Sequence, residues 1–269
     1  NDFYALFLDD TMTYSCAVFD SPEDSLQAAQ QNKYRRIIEK AQLNSRDHVL
    51  EIGCGWGGFA IAAVQQTGCR VTGITVSEAQ HDLACERVRQ AGLDDRIDIR
   101  LEDYRHVSGA YDKIVSIEML EAVGEKYFGS FFQACDQLLK ENGRALIQTI
   151  TIPDQRYRVY RRQRDWIQKH IFPGGHLPSL ELISRTLTRQ TSFNIDHLEN
   201  IGPHYAATLN HWRQRFLENQ DRAREMGFDA AFIRKWIYYL AVCEAGFANR
   251  VLGDLQIVLA RPGERPSSG

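Results

Sequence analysis

HVLEIGCGWGGFAIAAV, residues 48–64, is the stretch that decides the fold. A short apolar run at 49–52 has the length of a buried strand. It enters a glycine-rich turn and emerges, from about Gly57, as an alanine-rich stretch of helical length. The same alternation continues outward. CRVTGITVS (69–77) reads as a second strand, and Ser77 is a fitting N-cap for the helix after it. RIDIRLEDY (96–104) alternates Ile97, Ile99 and Leu101 as a third strand, and YDKIVSIEML (111–120) is a fourth. A helix around 127–140 leads to a fifth, RALIQTITI (144–152). Upstream, roughly 22–42 reads as a helix, with Leu26, Ala29, Ile37, Ile38 and Ala41 near helical spacing. Strands and helices alternating at short intervals predict an α/β fold, a doubly wound and mostly parallel sheet.

After Pro153 the pattern changes. Residues 154–190 are arginine-rich and then punctuated by IFPGGHLPS (171–179). SFNIDHLENIG (192–202) and LGDLQIVLARP (252–262) complete seven strands, and roughly 204–219 and 228–250 read as aromatic-rich helices. The expected organisation is one domain over 1–262. It has an N-terminal helical segment (1–44), a core (45–152) and a helical cap (153–195 and 203–250) inserted between strands five and six. Residues 263–269 read as a disordered tail.

Composition excludes several classes. With 43% hydrophobic and 25% charged residues, the 269-residue chain is neither disordered nor fibrous. A net charge of −3 argues against a general nucleic-acid binder. The cysteines at 16, 54, 69, 85, 135 and 243 form no Cys-x-x-Cys pair, which argues against a zinc knuckle or disulfide framework and for a reduced cytoplasmic setting. No apolar run approaches the roughly 18 residues of a membrane span. Membrane contact, if any, is peripheral.

Gly53, Gly55 and Gly58 satisfy G-x-G-x-x-G, which alone is a weak signal. A nicotinamide enzyme needs an acid about 20 residues on to hold the ribose. Here the second strand ends in Ile74-Thr75-Val76-Ser77, with no acid before Glu78. An acid instead precedes the loop. Glu51-Ile-Gly53-Cys54-Gly55-Trp56-Gly57 resembles motif I of S-adenosylmethionine (SAM) methyltransferases, whose ligand carries a sulfonium beside which a carboxylate is chemically sensible. A tight turn with no ligand is the plain alternative.

More specific segments follow in order: NDFYALFLDDTMTYSCAVF (1–19), ITVSEAQ (74–80), SIEMLEAVG (116–124), HIFPGGHLPS (170–179), HYAATLNHW (204–212) and YYLAVCEAGF (238–247). Together with the glycine loop they resemble the cyclopropane-fatty-acid synthase family over nearly the whole chain. Members of that family start a few residues earlier and often carry a further N-terminal domain, so the sequence reads as a fragment. The resemblance implies SAM contacts from Tyr14, Ser15, Gly53 and Gly55, a ribose held by Thr75 and Gln80, and Asp103 and Tyr104 near the adenine. Asp103 is also readable as a strand-end turn residue.

The family reaction methylates a cis double bond in an acyl chain and closes a cyclopropane by proton loss. The resemblance implies a bound bicarbonate as the base, held by Cys16, Glu121, Tyr205 and the backbone of Ile150. Each has a plainer reading: Cys16 as a small core filler, Tyr205 as a helix-start aromatic. Glu121 sits where open α/β sheets place their ligands. This sequence departs from the family at Gln148, where a histidine is expected, and at Ala122. Gln148 can donate a hydrogen bond but cannot take up a proton near neutral pH. That leaves a branched methyl or methylene product open beside the ring, and a small-molecule N-methyltransferase as a more distant alternative. Cys243 has been taken as catalytic in the family, but methyl transfer needs no thiolate.

Arg156, Arg158, Arg161, Arg162 and Arg164 are interleaved with Tyr157, Tyr160 and Trp166. They suit an anionic membrane surface or an acidic acyl carrier, or else form a solvated helix face. The expected substrate is an unsaturated phospholipid or another acyl chain, and a homodimer is among the expected assemblies.

Overall fold

The computed structural model describes residues 1–263. Seven strands, β1 (His48–Ile52), β2 (Arg70–Thr75), β3 (Ile97–Leu101), β4 (Tyr111–Ile117), β5 (Leu139–Thr151), β6 (Asn194–Asn200) and β7 (Gly253–Ala260), form one sheet in the order β3-β2-β1-β4-β5-β7-β6. The first five run parallel, and β7 inserts antiparallel between β5 and β6. The expected α/β sheet is present, including its two late strands.

The helices are α1 (Asp2–Ala5), α2 (Leu26–Ala41), α3 (Gly58–Thr67), α4 (Glu78–Gln90), α5 (Leu120–Val123), α6 (Phe128–Leu138), α7 (Asp154–Tyr160), α8 (Trp166–His170), α9 (Leu180–Gln190), α10 (Gly202–Glu218), α11 (Gln220–Glu225) and α12 (Ala230–Ala248). Ser77 caps α4 as expected, its hydroxyl accepting from the Gln80 N–H. Ser25 does the same for α2.

Two apolar clusters clothe the sheet. One lies under α6 and α9, the other under α2, α3 and α4. A third joins α1, the segment through Val18, α10 and α12. This third cluster is the cap, and its placement differs from expectation. α9 buries Leu182, Ile183 and Leu187 in the sheet's own helix layer. It is the crossover between β5 and β6 and not part of the cap. The large cap helices, α10 to α12, come between β6 and β7 instead. Among the described residues no helix is long and apolar enough to cross a membrane. The tail expected at 263–269 lies, apart from Gly263, outside the described residues.

Candidate active site

At the C-terminal ends of β1, β2 and β4 the sheet opens into a cavity of about 300 Å³. The glycine turn forms one wall. Gly53 and Gly55 have φ of +82° and +54°, a region that glycine enters without strain. A Cβ on Gly55 would meet nothing within 4 Å, so this bare backbone faces open space. Gly57 also has a positive φ (+80°), but a Cβ there would pack on Ala84. It serves the turn and does not line the cavity, unlike Gly53, Cys54, Gly55 and Trp56.

Glu51 ends β1 beneath the turn at 2% exposure. Burial pushes its carboxyl up to about 8, against the pull of Lys33. One of its oxygens is buried with no hydrogen-bond partner. An orphaned acceptor at the floor of a cavity calls for a donor or a cation from a ligand. Tyr14, Ser15, Thr75, Gln80 and Tyr104 line the same cavity, as expected. The Thr75 hydroxyl donates to Gln80 at 2.8 Å. Asp103 is not in the lining. Its carboxylate binds the Arg105 guanidinium and the Arg105 N–H, which hold it down at about 2, and the neighbouring Glu102 faces the cavity instead.

Beneath the cavity the residues expected at the anion site divide between two carboxylates. The backbone N–H of Cys16 and the Tyr205 hydroxyl do converge, but on the carboxylate of Glu118. Cys16 N donates to Oε1 at 2.8 Å and Tyr205 to Oε2 at 2.7 Å. Gln148 Nε2 donates to the same Oε1 at 2.9 Å and to Asp254 Oδ2 at 3.0 Å. Glu121 is turned aside. Its Oε1 accepts from the Ile150 N–H and from the Thr149 hydroxyl, and its Oε2 is buried without a partner. The donor set thus splits: Cys16, Tyr205 and Gln148 hold Glu118, while Ile150 holds Glu121.

Glu118 directly follows β4 and has φ +50°, in the left-handed region where a non-glycine residue costs of order 1 kcal/mol. That turn points its side chain at Cys16 and Tyr205. Burial raises its carboxyl, opposed by Tyr205, Cys16 N–H and Lys33. Asp254 is raised well above the usual carboxylate range by burial, then by the charges of Glu118 and Glu121. The two carboxyls share one amide nitrogen, and the charge of Glu118 favours the protonated form of Asp254. Glu121 is pushed up to about 8, by burial first and Glu118 second. Lys33, fully buried and donating to Ser15 Oγ at 2.6 Å, supplies the positive charge of the cluster; burial lowers its ammonium to about 8.

Both cysteines are buried, which disfavours their thiolates. Cys16 is buried, its thiol raised by burial and then by Asp254. Cys243 lies at 9% exposure, and burial pushes its thiol up to about 12. It packs in the aromatic wall with Tyr239, whose hydroxyl meets Tyr14 at 2.8 Å. Tyr205 stacks on Phe247 at 4.4 Å and crosses Trp212 edge-on. The wall beside the carboxyls is therefore aromatic.

Sequence reasoning missed Glu118, Asp254 and Lys33. For Lys33 a signal existed: it sits between Ala29 and Ile37 on the apolar stripe of α2, where a lysine needs a buried partner.

Val159 of α7, Phe172 just after α8, and Tyr238 and Val242 of α12 are exposed apolar residues, at 64%, 39%, 50% and 38%. Arg156, Arg158, Arg162 and Arg164 are exposed as well. Arg161 is different, paired with Glu125 at 2.7 Å and lying over the Tyr157 ring.

Residues 1–257 match the family described as mycolic acid cyclopropane synthetase. A tuberculostearic acid methyltransferase of Mycobacterium tuberculosis is 43% identical over 98% of this chain and 63% of its own length. The cyclopropane-fatty-acyl-phospholipid synthase of Escherichia coli K12 is 37% identical over 97% of this chain and 65% of its own. The chain thus spans a little under two thirds of these curated relatives. Among solved structures, a cyclopropane synthase from Mycobacterium tuberculosis superposes with a TM-score of 0.91 at 28% identity, covering 97% of this chain and 94% of that one. A mycolic acid cyclopropane synthase complexed with S-adenosylhomocysteine and CTAB gives 0.90 at 29% identity, covering 96% and 93%. The chain belongs to the mycolic acid cyclopropane synthetase family.

Proposed function

We propose that the chain is a SAM-dependent C-methyltransferase of unsaturated acyl chains in which Glu118 is the base that removes a proton from the newly added methyl group. The observation that carries this reading is the Glu118 carboxylate, held by three donors at the base of a cavity lined by the SAM-type glycine turn. The chemistry SAM supplies when bound is an electrophilic methyl group, which the π electrons of a cis double bond attack, leaving a cation on the neighbouring carbon. Gly53, Gly55, Glu51, Thr75, Gln80, Tyr14, Ser15 and Tyr104 are the residues that would hold it. The orphaned Glu51 oxygen and the open face of Gly55 fit such a ligand.

Glu118 then accepts a methyl proton. The electron pair of that C–H bond closes on the cationic carbon and gives a cyclopropane. A bicarbonate is not needed in this reading, because Glu118 takes up the donors of Cys16 and Tyr205 that the resemblance assigned to it. The aromatic wall of Tyr205, Phe247 and Trp212 keeps out water that would capture the cation as an alcohol.

A second reading keeps the same base. If hydride moves from the methylated carbon to the cation first, the same proton loss yields an exocyclic methylene. The 43% identical relative, which is named a tuberculostearic acid methyltransferase and not a cyclopropane synthase, favours it. In both readings the exposed apolar residues and arginines of α7, α8 and α12 rest on an anionic bilayer.

The test is to incubate the protein with methyl-labelled SAM and vesicles of cis-monounsaturated phospholipid. The fatty acids are identified by mass spectrometry after derivatising double bonds. A labelled chain that no longer derivatises is the ring. One that derivatises at a terminal methylene is the second product. Label in amines and none in lipid would contradict both.

A further inference from the structure

We propose that Lys40 and Gln256 are positioning residues that fix the polarity of the Gln148 side chain and so keep its NH₂ group, and not its oxygen, on Glu118. This rests on the reading of Glu118 as the base.

The sheet register puts the parts in one row. Gln148 of β5 pairs with Gln256 of β7, and Gln256 pairs with Glu199 of β6. Asp254 lies two residues before Gln256, on the same face and diagonal to Gln148. α2 covers this row. The Lys40 ammonium donates to both Gln256 Oε1 and Glu199 Oε2. Gln256 Nε2 donates to Gln148 Oε1 at 3.0 Å. Gln148 Nε2 donates to Glu118 and Asp254. Gln148, Gln256 and Asp254 are completely buried, so no water competes.

The direction of this chain is dictated at its outer end. An ammonium has only donors. Lys40 therefore compels Gln256 to present its oxygen outward and its NH₂ inward. That NH₂ compels Gln148 to accept with its oxygen, which leaves the Gln148 NH₂ for the two carboxyls. A glutamine amide has no intrinsic preference between its two ends, and without Lys40 the row is free to reverse. Reversed, the Gln148 oxygen would face Glu118 and Asp254 and would favour their protonated forms. A protonated Glu118 accepts no proton. Other groups also face Glu118: Lys33 from α2, Glu121 from α5, Tyr205 from α10, Tyr239 from α12 and Asp254 from β7. None of them touches Lys40. Lys40 itself faces Glu199, which is shared with Arg36.

The experiment is the pH profile of kcat for labelled-lipid formation in wild type and in Lys40→Met, Lys40→Arg and Gln256→Glu. Turnover falls at acid pH as Glu118 protonates. Lys40→Met should move this acid limb up by about one pH unit, with SAM affinity unchanged within twofold. Lys40→Arg, again donor-only, should restore the wild-type limb. Gln256→Glu keeps Lys40 but offers Gln148 only acceptors, so it should raise the limb as Lys40→Met does. A merely structural role predicts lower rates in these variants with the limb unmoved. Unmoved limbs in Lys40→Met and Gln256→Glu, at wild-type or at lower rates, would overturn this inference and leave the functional reading standing. A wild type that labels no lipid across the pH range would overturn both.

Discussion

Glu118→Gly converts the internal base into an empty anion site, and the structure sets what should follow. Glu118 occupies φ +50°, so glycine relieves a backbone cost of order 1 kcal/mol rather than adding one. The deletion leaves three donors, Cys16 N–H, Tyr205 hydroxyl and Gln148 NH₂, aimed at a carboxylate-sized hole. Loss of a positioned base lowers proton transfer by about 100- to 10,000-fold. SAM affinity should stay within a few-fold, because the glycine turn and Glu51 are untouched. Added formate or bicarbonate, a small carboxylate or its analogue, should then occupy the hole and return part of the rate in a saturable manner. Glu118→Ala opens a similar hole but keeps the left-handed backbone, so it should be the less stable of the two by about 1 kcal/mol. The assay is labelled-lipid formation against anion concentration, with SAM binding measured separately by calorimetry. Glu118→Gly turning over at the wild-type rate without added anion would refute the base assignment. Bound SAM with no gain from either anion would refute the claim that the three donors form an anion cradle.

Three further outcomes follow from the same geometry. Glu51→Gln should weaken SAM binding about 10- to 100-fold, because a bound sulfonium favours the ionised form of Glu51 and the amide cannot ionise, read by calorimetry; unchanged affinity would remove Glu51 from the site. Burial raises the Glu121 carboxyl to about 8, above its unfolded value, so it adds no penalty below the ordinary carboxylate range, destabilises the fold progressively between about pH 4.5 and 8, and adds a constant penalty above that. Glu121→Gln should therefore melt higher than wild type at pH 9, with the gap closing at pH 5; a gap independent of pH would contradict this. Reversing Arg158, Arg162 and Arg164 to Glu should abolish co-sedimentation with anionic vesicles, at about 1 kcal/mol lost per arginine removed, whereas Arg161→Glu should act mainly through its lost pair with Glu125. Unchanged binding of the triple variant would sink the membrane-facing reading.

Much of this architecture was legible in the residues. Glycines packed between a strand-length and a helix-length apolar run admit few folds, and Ser77 stands where the helix begins. The residues assigned to the SAM side came from the family resemblance, and most of them line one cavity. The carboxyl cluster was not legible. It depends on which way Glu118 points, and a glutamate in left-handed backbone is something no spacing predicts. Glu121, three residues on, carries the family resemblance and drew the anion site to itself. Asp254 lay in LGDLQIVLARP, where the apolar alternation made a strand obvious and its one acid inconspicuous. The cap was misplaced in chain order because its helices bracket β6, an edge strand whose residues are mostly exposed and whose pattern is weak. Asp103 against Glu102 turns on the loop just after β3, whose course depends on the Asp103–Arg105 contacts.

The central claim is that a carboxyl of the protein takes a proton from the new methyl group. SAM carrying a trideuterated methyl tests it most directly, with cis-monounsaturated phospholipid and bicarbonate stripped from the buffer. The account predicts product formed without bicarbonate and retaining two of the three deuterons, as ring and methylene both require. Product retaining all three, or turnover that appears only when bicarbonate is restored, would contradict it.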